Sequence, residues 1–156
     1  TYNVGGWNEK ANLDAVKTLC SILDELKDAS VGITKHNFHW LSLHLKKYGR
    51  FNAGWITFKT TSEGLKCLEE WMSDCAKWCF GYLDDQKYGD QKYLNSWEDK
   101  YKKVKIIESK GANLAPWNIK RYKINSKEDK ILIDDEILIF VDKKNGLEII
   151  KLQKSN

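Results

Sequence analysis

The spacing of apolar residues changes character along the chain. Leu13, Val16, Leu19/Cys20, Leu23 and Leu26 recur at intervals of three and four, which predicts an amphipathic helix over 12–27. Ser30–Thr34 (SVGIT) is a short apolar run and predicts a buried strand. The mixed segment His36–Lys47 predicts a loop and a short helix stopped by Gly49. Phe51–Lys59 (FNAGWITFK) is apolar on both faces, the pattern of a central strand. Ser62 is the expected cap of a second helix, with Leu65, Leu68, Trp71/Met72, Cys75, Trp78/Cys79 and Tyr82 on its buried stripe. A turn at Asp84–Gly89 leads to a shorter helix over about 90–100, and Val104–Glu108 reads as a strand. Gly111–Asn118 is a loop holding the only proline, Pro116. Strands follow at Tyr122–Ile124, Lys130–Ile133, Ile137–Val141 and Leu147–Leu152, the last two flanking Asn145-Gly146, a type I′ hairpin signal. Alternating helices and strands followed by hairpins give an α/β or α+β class: a mixed sheet flanked by helices, with a C-terminal β-hairpin. No repeat of fixed period is present.

Composition narrows this picture. A chain of 156 residues suits one domain with one core. One Pro, ten Gly and 12% aromatic residues exclude a low-complexity, unpackable chain. No run approaches the roughly eighteen apolar residues of a membrane span. Thr1–Lys10 lacks a basic and apolar leader, so the expected location is cytoplasmic, including the inner face of the membrane. Seven Trp beside seven Tyr suggest that sugars, bases or a partner surface are handled. Trp55, Trp71, Trp78 and Trp97 fall on predicted buried stripes; Trp117 is the candidate for a site, and Trp7 and Trp40 have no assignment.

The net charge of +4 is unevenly spread: residues 1–99 hold 12 basic and 14 acidic side chains, residues 100–156 hold 14 and 8. A basic tail could meet phosphate, nucleic acid or an anionic membrane surface. Its Lys alternate with Ile and Leu as strand faces do, which favours a solvated surface, and no nucleic-acid motif is present. Of the four cysteines, Cys67, Cys75 and Cys79 are spaced eight and four apart, on one helical face, with Cys20 remote. Zinc-ligand spacing is absent, so reduced core cysteines are expected.

Three polar clusters interrupt apolar surroundings. Asn52 begins the most hydrophobic strand beside Ala53 and Gly54, small residues that let a ligand approach the backbone. Asp90 and Gln91 start a helix, either capping it or offering a carboxylate and an amide to sugar hydroxyls. Asn113, Trp117 and Asn118 lie on the proline-stiffened loop, suited to a pocket with an aromatic plate and amides.

In this order and spacing, RFNAGW (50–55), GDQKYL (89–94) and KGANLAPWN (110–118) resemble bacterial nucleotide-diphospho-sugar glycosyltransferases of the GT-A fold, relatives of the glycogenin-like and lipopolysaccharide galactosyltransferase-like enzymes. The similarity runs from about Leu23 to Phe140, so residues 23–140 form the glycosyltransferase-like part of one domain. Residues 1–22 are then a divergent or shortened N-terminal segment and 141–156 a divergent hairpin. The resemblance implies transfer of a sugar from a nucleotide-diphospho-sugar donor to a glycan or lipid-linked acceptor, as in surface polysaccharide synthesis, with peripheral membrane contact. It implies that Asp90 and Gln91 act near the reacting carbon. Asn52, Ala53 and Gly54 would line the donor-sugar pocket, Asn113, Trp117 and Asn118 would shape it, and His36 would face the cleft or lie on the surface.

The family neutralises the leaving diphosphate with Mn²⁺ or Mg²⁺ held by an Asp-x-Asp and a C-terminal His. Here Asp14 supplies the first Asp of Leu13-Asp14-Ala15-Val16 and Val16 replaces the second. No His follows His44; Asp142 could replace a ligand or flank a turn. Thr1–Lys10 cannot supply the family's nucleotide-binding strands. The chain is accordingly expected to be a fragment, a degenerate homologue or one half of a split enzyme. The competing expectation is a non-catalytic glycan- or partner-binding module.

Overall fold

In the computed structural model the apolar run after Ser30 becomes the middle strand of a mixed sheet. The backbone is described for residues 9–127, 130–137, 141–143 and 146–148, and side chains for 16–17, 19–125 and 132–136. Strand β1 (Val31–Lys35) pairs antiparallel with β2 (Phe51–Phe58) on one side and parallel with β3 (Val104–Ile106) on the other. The expected central strand, β2, is therefore an edge. Its apolarity comes from packing on both faces. Ile56 and Phe58 lie against one core cluster and Trp55 against the other. The first cluster holds Val31, Ile33, Phe51, Cys67, Leu94, Trp97 and Tyr101; the second holds Ile22, Leu26, Ala29, Ile107 and Ala112.

Helix α1 (Glu9–Glu25) covers the second face. Of the expected stripe Leu26, just past the helix end, is in the core, beside Ile22, which the spacing did not include, while Val16, Leu19 and Leu23 are exposed. Helix α2 (Ser62–Lys77) covers the first face, and its cap is Thr61, whose hydroxyl accepts the Gly64 N–H at 3.1 Å. Ser62 is instead its first helical residue. The buried positions of α2 are Gly64 and Cys67, with Trp71 half-buried, whereas Leu65, Met72 and Tyr82 are exposed. The stripe is displaced because the helix docks through its smallest residue. A Cβ on Gly64 would strike the carbonyl oxygens of Lys59 and Ser30, so only glycine permits that approach. The helix also ends at Lys77, before Trp78, Cys79 and Tyr82.

Between β1 and β2 runs a 3-10 helix, Trp40–Tyr48, stopped at Gly49, whose φ of +140° suits glycine. The predicted helix over 90–100 divides into a 3-10 turn, Lys92–Ser96, and α3 (Trp97–Lys100). Beyond the loop the strands are shifted: β4 (Ile124–Lys127), β5 (Lys130–Ile133) and β6 (Glu136–Ile137) form an antiparallel sheet. Asp134 and Asp135, with φ of +46° and +73°, make the two-residue turn between β5 and β6. A final antiparallel pair, β7 (Val141–Lys143) and β8 (Gly146–Glu148), forms where a hairpin was expected; Asn145 lies outside the described residues. The class is thus α+β with a mixed sheet and a C-terminal strand pair. Among the described residues no helix is long and apolar enough to cross a membrane.

The four cysteines are free thiols, but only Cys67 is a core residue. Trp97 is buried, Trp55, Trp71 and Trp78 are half-buried, Trp40 is 70% exposed, and Trp7 lies outside the described residues.

Candidate functional site

The carboxyl ends of β1 and β3 and the start of β2 lie at one end of the sheet, because Lys35 pairs with Phe51. In sheets with parallel strands that end is where ligands commonly sit. The register between β1 and β2 breaks there. Ile33 faces Ile56 but the next residue, Thr34, faces Asn52, so Ala53, Gly54 and Trp55 form a bulge. Two side chains hold the bulge. The Asn52 amide oxygen accepts the Gly54 N–H at 2.9 Å, and the Thr34 hydroxyl donates to the carbonyls of Asn52 and Trp55 at 3.3 and 3.4 Å.

Asn52 is buried and donates from Nδ2 to Asn113 Oδ1 at 3.0 Å. Asn113 Nδ2 donates in turn to the Lys35 carbonyl at 2.9 Å. Asn118, fully buried, donates to the carbonyls of His36 and Asn113 at 3.0 and 2.9 Å and accepts the Ala115 N–H at 2.8 Å. Arg121 Nη1 reaches the Phe38 carbonyl at 3.3 Å, and the His39 N–H donates to the Trp117 carbonyl at 3.0 Å. The chain after β1 is therefore gripped at Lys35, His36, Phe38 and His39 by the segment Asn113–Arg121. Asn37, within that gripped stretch, has a left-handed φ of +48°.

Aromatic rings line the gripped segment. The imidazole of His36, buried, stacks on Phe38 at 4.6 Å with an interplanar angle of 9° and meets Trp117 edge-on at 5.3 Å. Trp117 is half-buried, and its indole N–H is enclosed without a hydrogen-bond partner among the described residues. The Lys35 ammonium lies 3.7 Å from Glu108. Burial pushes the Tyr122 phenol up from its ordinary range, against the lowering effects of Arg121 and of a hydrogen bond to Asn37.

The sequence clusters are thus reunited in part. His36, Asn52, Asn113, Trp117 and Asn118 form one bonded group, with Ala53 and Gly54 in its bulge. Asp90 and Gln91 stand beside the same sheet end on a separate arm. Gln91 Nε2 donates to the Tyr48 carbonyl at 3.3 Å, and Asn95 Oδ1 accepts the Arg50 N–H at 2.8 Å. Asp90 is exposed, and it is its carbonyl, not its carboxylate, that accepts Trp71 Nε1 at 2.9 Å. Neither residue caps the turn that follows through its side chain. Asp14 lies on the backbone of α1, its side chain outside the described residues, as is that of Asp142. Among the described residues no three or more His, Cys, Asp or Glu are grouped to hold a metal ion.

Thr34, Phe38 and Arg121 were not singled out by the pattern, although all three act on this group. For Thr34 the usable signal was a hydroxyl closing an apolar run. Phe38 and Arg121 declare themselves only through contacts distant in sequence.

The chain is 35% identical to the uncharacterized protein YfnD of Bacillus subtilis over 76% of its own length and 39% of that protein's. It is 27% identical to the uncharacterized protein YfnF of the same organism over 86% of its length and 44% of the relative's. It thus spans about two fifths of these relatives. A dTDP-glucose 4,6-dehydratase of Neisseria meningitidis is 32% identical over 50% of the chain and 25% of the enzyme, and one of Escherichia coli K12 34% over 57% and 26%. No family model matches, and no solved structure matches significantly.

These comparisons correct the glycosyltransferase reading. The relatives whose names state an activity are dehydratases of a nucleotide-sugar, not transferases, so the expectations of a GT-A fold, sugar transfer and polysaccharide synthesis fall with it. The resemblance rested on short blocks, and the buried asparagines of two of them, Asn52, Asn113 and Asn118, bond to the protein's own backbone and to one another.

Proposed function

We propose that the chain contributes a contact for a nucleotide-activated sugar in a longer protein of sugar-nucleotide metabolism, at the carboxyl end of β1 and β3. The observation that carries this reading is the 31–34% identity to dTDP-glucose 4,6-dehydratases over about half of the chain. The sheet end supports it chemically. Of the rings of His36, Phe38 and Trp117, Trp117 is the half-buried one, backed edge-on by the buried His36, and it offers a face of the kind a sugar or base stacks on. Lys35 and Arg121 supply cationic charge suited to a diphosphate. Asn52, Asn113 and Asn118 hold this surface in shape, and Ala53 and Gly54 keep the bulge beside it small.

Calorimetric titration of the chain with dTDP-glucose tests the proposal. Saturable binding is expected, weakened about tenfold in Trp117→Ala, which corresponds to about 1.4 kcal/mol, and unchanged in Met72→Ala on the exposed side of α2. Absence of heat with wild-type protein, or equal affinity in Trp117→Ala, would overturn it.

A further inference from the structure

The 3-10 helix Trp40–Tyr48 buries none of its nine residues, although five of them are Trp, Leu or Tyr. Trp40 is 70% exposed, Leu41 49% and Leu43 45%, whereas Leu45 and Tyr48 are half-buried. Both ends of the helix are nevertheless fastened. At its start His39 Nδ1 accepts the Leu41 N–H at 3.3 Å. At its end the Gly49 N–H donates to the Lys46 carbonyl at 3.1 Å, and the Tyr48 ring meets Tyr88 at 4.5 Å. The apolar side chains are thus displayed on a formed element. Charge is as one-sided as exposure. No Asp or Glu occurs between Asp28 and Glu63, nor between Glu108 and Glu128. These two stretches meet at the bond from the His39 N–H to the Trp117 carbonyl, one residue before Trp40 and two before Ile119, itself 40% exposed. Lys46, Lys47, Lys120 and Arg121 on them are exposed. At the sheet Lys35 and Arg50 are paired with Glu108 and Glu98, but Lys46, Lys47 and Lys120 enter no ion pair among the described residues.

We propose that this basic and apolar face rests on an anionic lipid bilayer. The lysines draw it to anionic headgroups, each worth about fivefold in affinity. Trp40 sits at headgroup level, and Leu41 and Leu43 enter the acyl boundary beneath it. The chain then lies on the membrane surface. Apolar exposure and charge together select this occupant. A nucleic acid would use the lysines but leave the leucines in water, since they offer bases no stacking face. An uncharged apolar partner would leave the lysines unused. A bilayer uses both, and being fluid it moulds to a projecting helix without a preformed groove. The exposed apolar residues at the other end of the chain's charge range differ: Met72, Phe80 and Tyr82 stand in sequence among Asp74, Asp84 and Asp85 as well as lysines. The face needs no nucleotide-sugar, so it and the sheet-end contact can fail separately.

Co-sedimentation of the chain with vesicles of phosphatidylcholine alone, or with about 30% phosphatidylglycerol added, tests the proposal. Binding is expected to the anionic vesicles only, and to weaken as salt is raised from about 0.1 to about 0.5 M. Lys46→Gln with Lys47→Gln should bind about thirtyfold more weakly. Trp40→Ser with Leu43→Ser should bind about tenfold more weakly, whereas Met72→Ser with Phe80→Ser should bind as wild type. Circular dichroism checks the fold of each variant. Lipids brominated near the headgroup should quench tryptophan fluorescence in wild type, and that quenching should be largely lost in Trp40→Phe. The proposal is overturned by no binding to anionic vesicles, or by unchanged binding in Trp40→Ser with Leu43→Ser. An equal loss in Met72→Ser with Phe80→Ser, undiminished quenching in Trp40→Phe, or tighter binding to a single-stranded oligonucleotide than to vesicles would overturn it too.

Discussion

The end of the sheet and the end of α2 use their side chains in opposite ways. At the sheet end the polar residues Asn52, Asn113 and Asn118 are buried and bonded to backbone or to each other. At the end of α2 the apolar residues Phe80, Tyr82 and Leu83 are exposed and contact mainly neighbouring rings or solvent. A buried amide must find partners or cost stability, so the first region is over-determined and rigid. An exposed ring loses little when changed, so the second can vary or move without unfolding the chain.

Substitutions should break this contrast unequally. Asn118→Ala removes partners from the carbonyls of His36 and Asn113 and from the Ala115 N–H, and should cost about 4 kcal/mol in urea unfolding. Thr34→Val, which leaves the bulge carbonyls of Asn52 and Trp55 without the hydroxyl, should cost about 1 kcal/mol in the same measurement. Glu70, on α2, adds a pH dependence. A hydrogen bond from Lys100, and then one from Tyr101, holds its carboxyl below the usual carboxylate range. A group lowered in the folded state stabilises it above the unfolded pKa, and that contribution is lost as pH falls through the depressed value. Urea midpoints compared between neutral and acid pH should therefore fall less in Glu70→Gln than in wild type. The smallest effect is expected from Phe80→Ser with Tyr82→Ser, about 0.5 kcal/mol or less by thermal unfolding. A large loss there would mean that this segment belongs to the core.

The contrast also explains what the sequence could disclose. Period and run length located β1, β2, α2 and β5 within a few residues, because each carries a run or period of apolar residues in the sequence. They misplaced the buried side of α2, since a stripe of large apolar residues says nothing of Gly64, the residue that docks. The grouping of Asn52, Asn113 and Asn118 was foreshadowed by amides in apolar surroundings. Their bonding to the carbonyls of Lys35 and His36 was not, because it joins residues some eighty positions apart. The edge position of β2 was hidden for a related reason: packing on both faces of an edge strand leaves the same pattern as a central one.

The proposed contact of a nucleotide-activated sugar with the sheet end can be tested residue by residue. Titrating ¹⁵N-labelled protein with dTDP-glucose and following the Trp117 indole and the Asn113 and Asn118 side-chain amides addresses it most directly. Saturable shifts of the Trp117 indole are expected, with smaller shifts at the two amides. Resonances that stay fixed, or shifts confined to Trp78–Leu83, would contradict it.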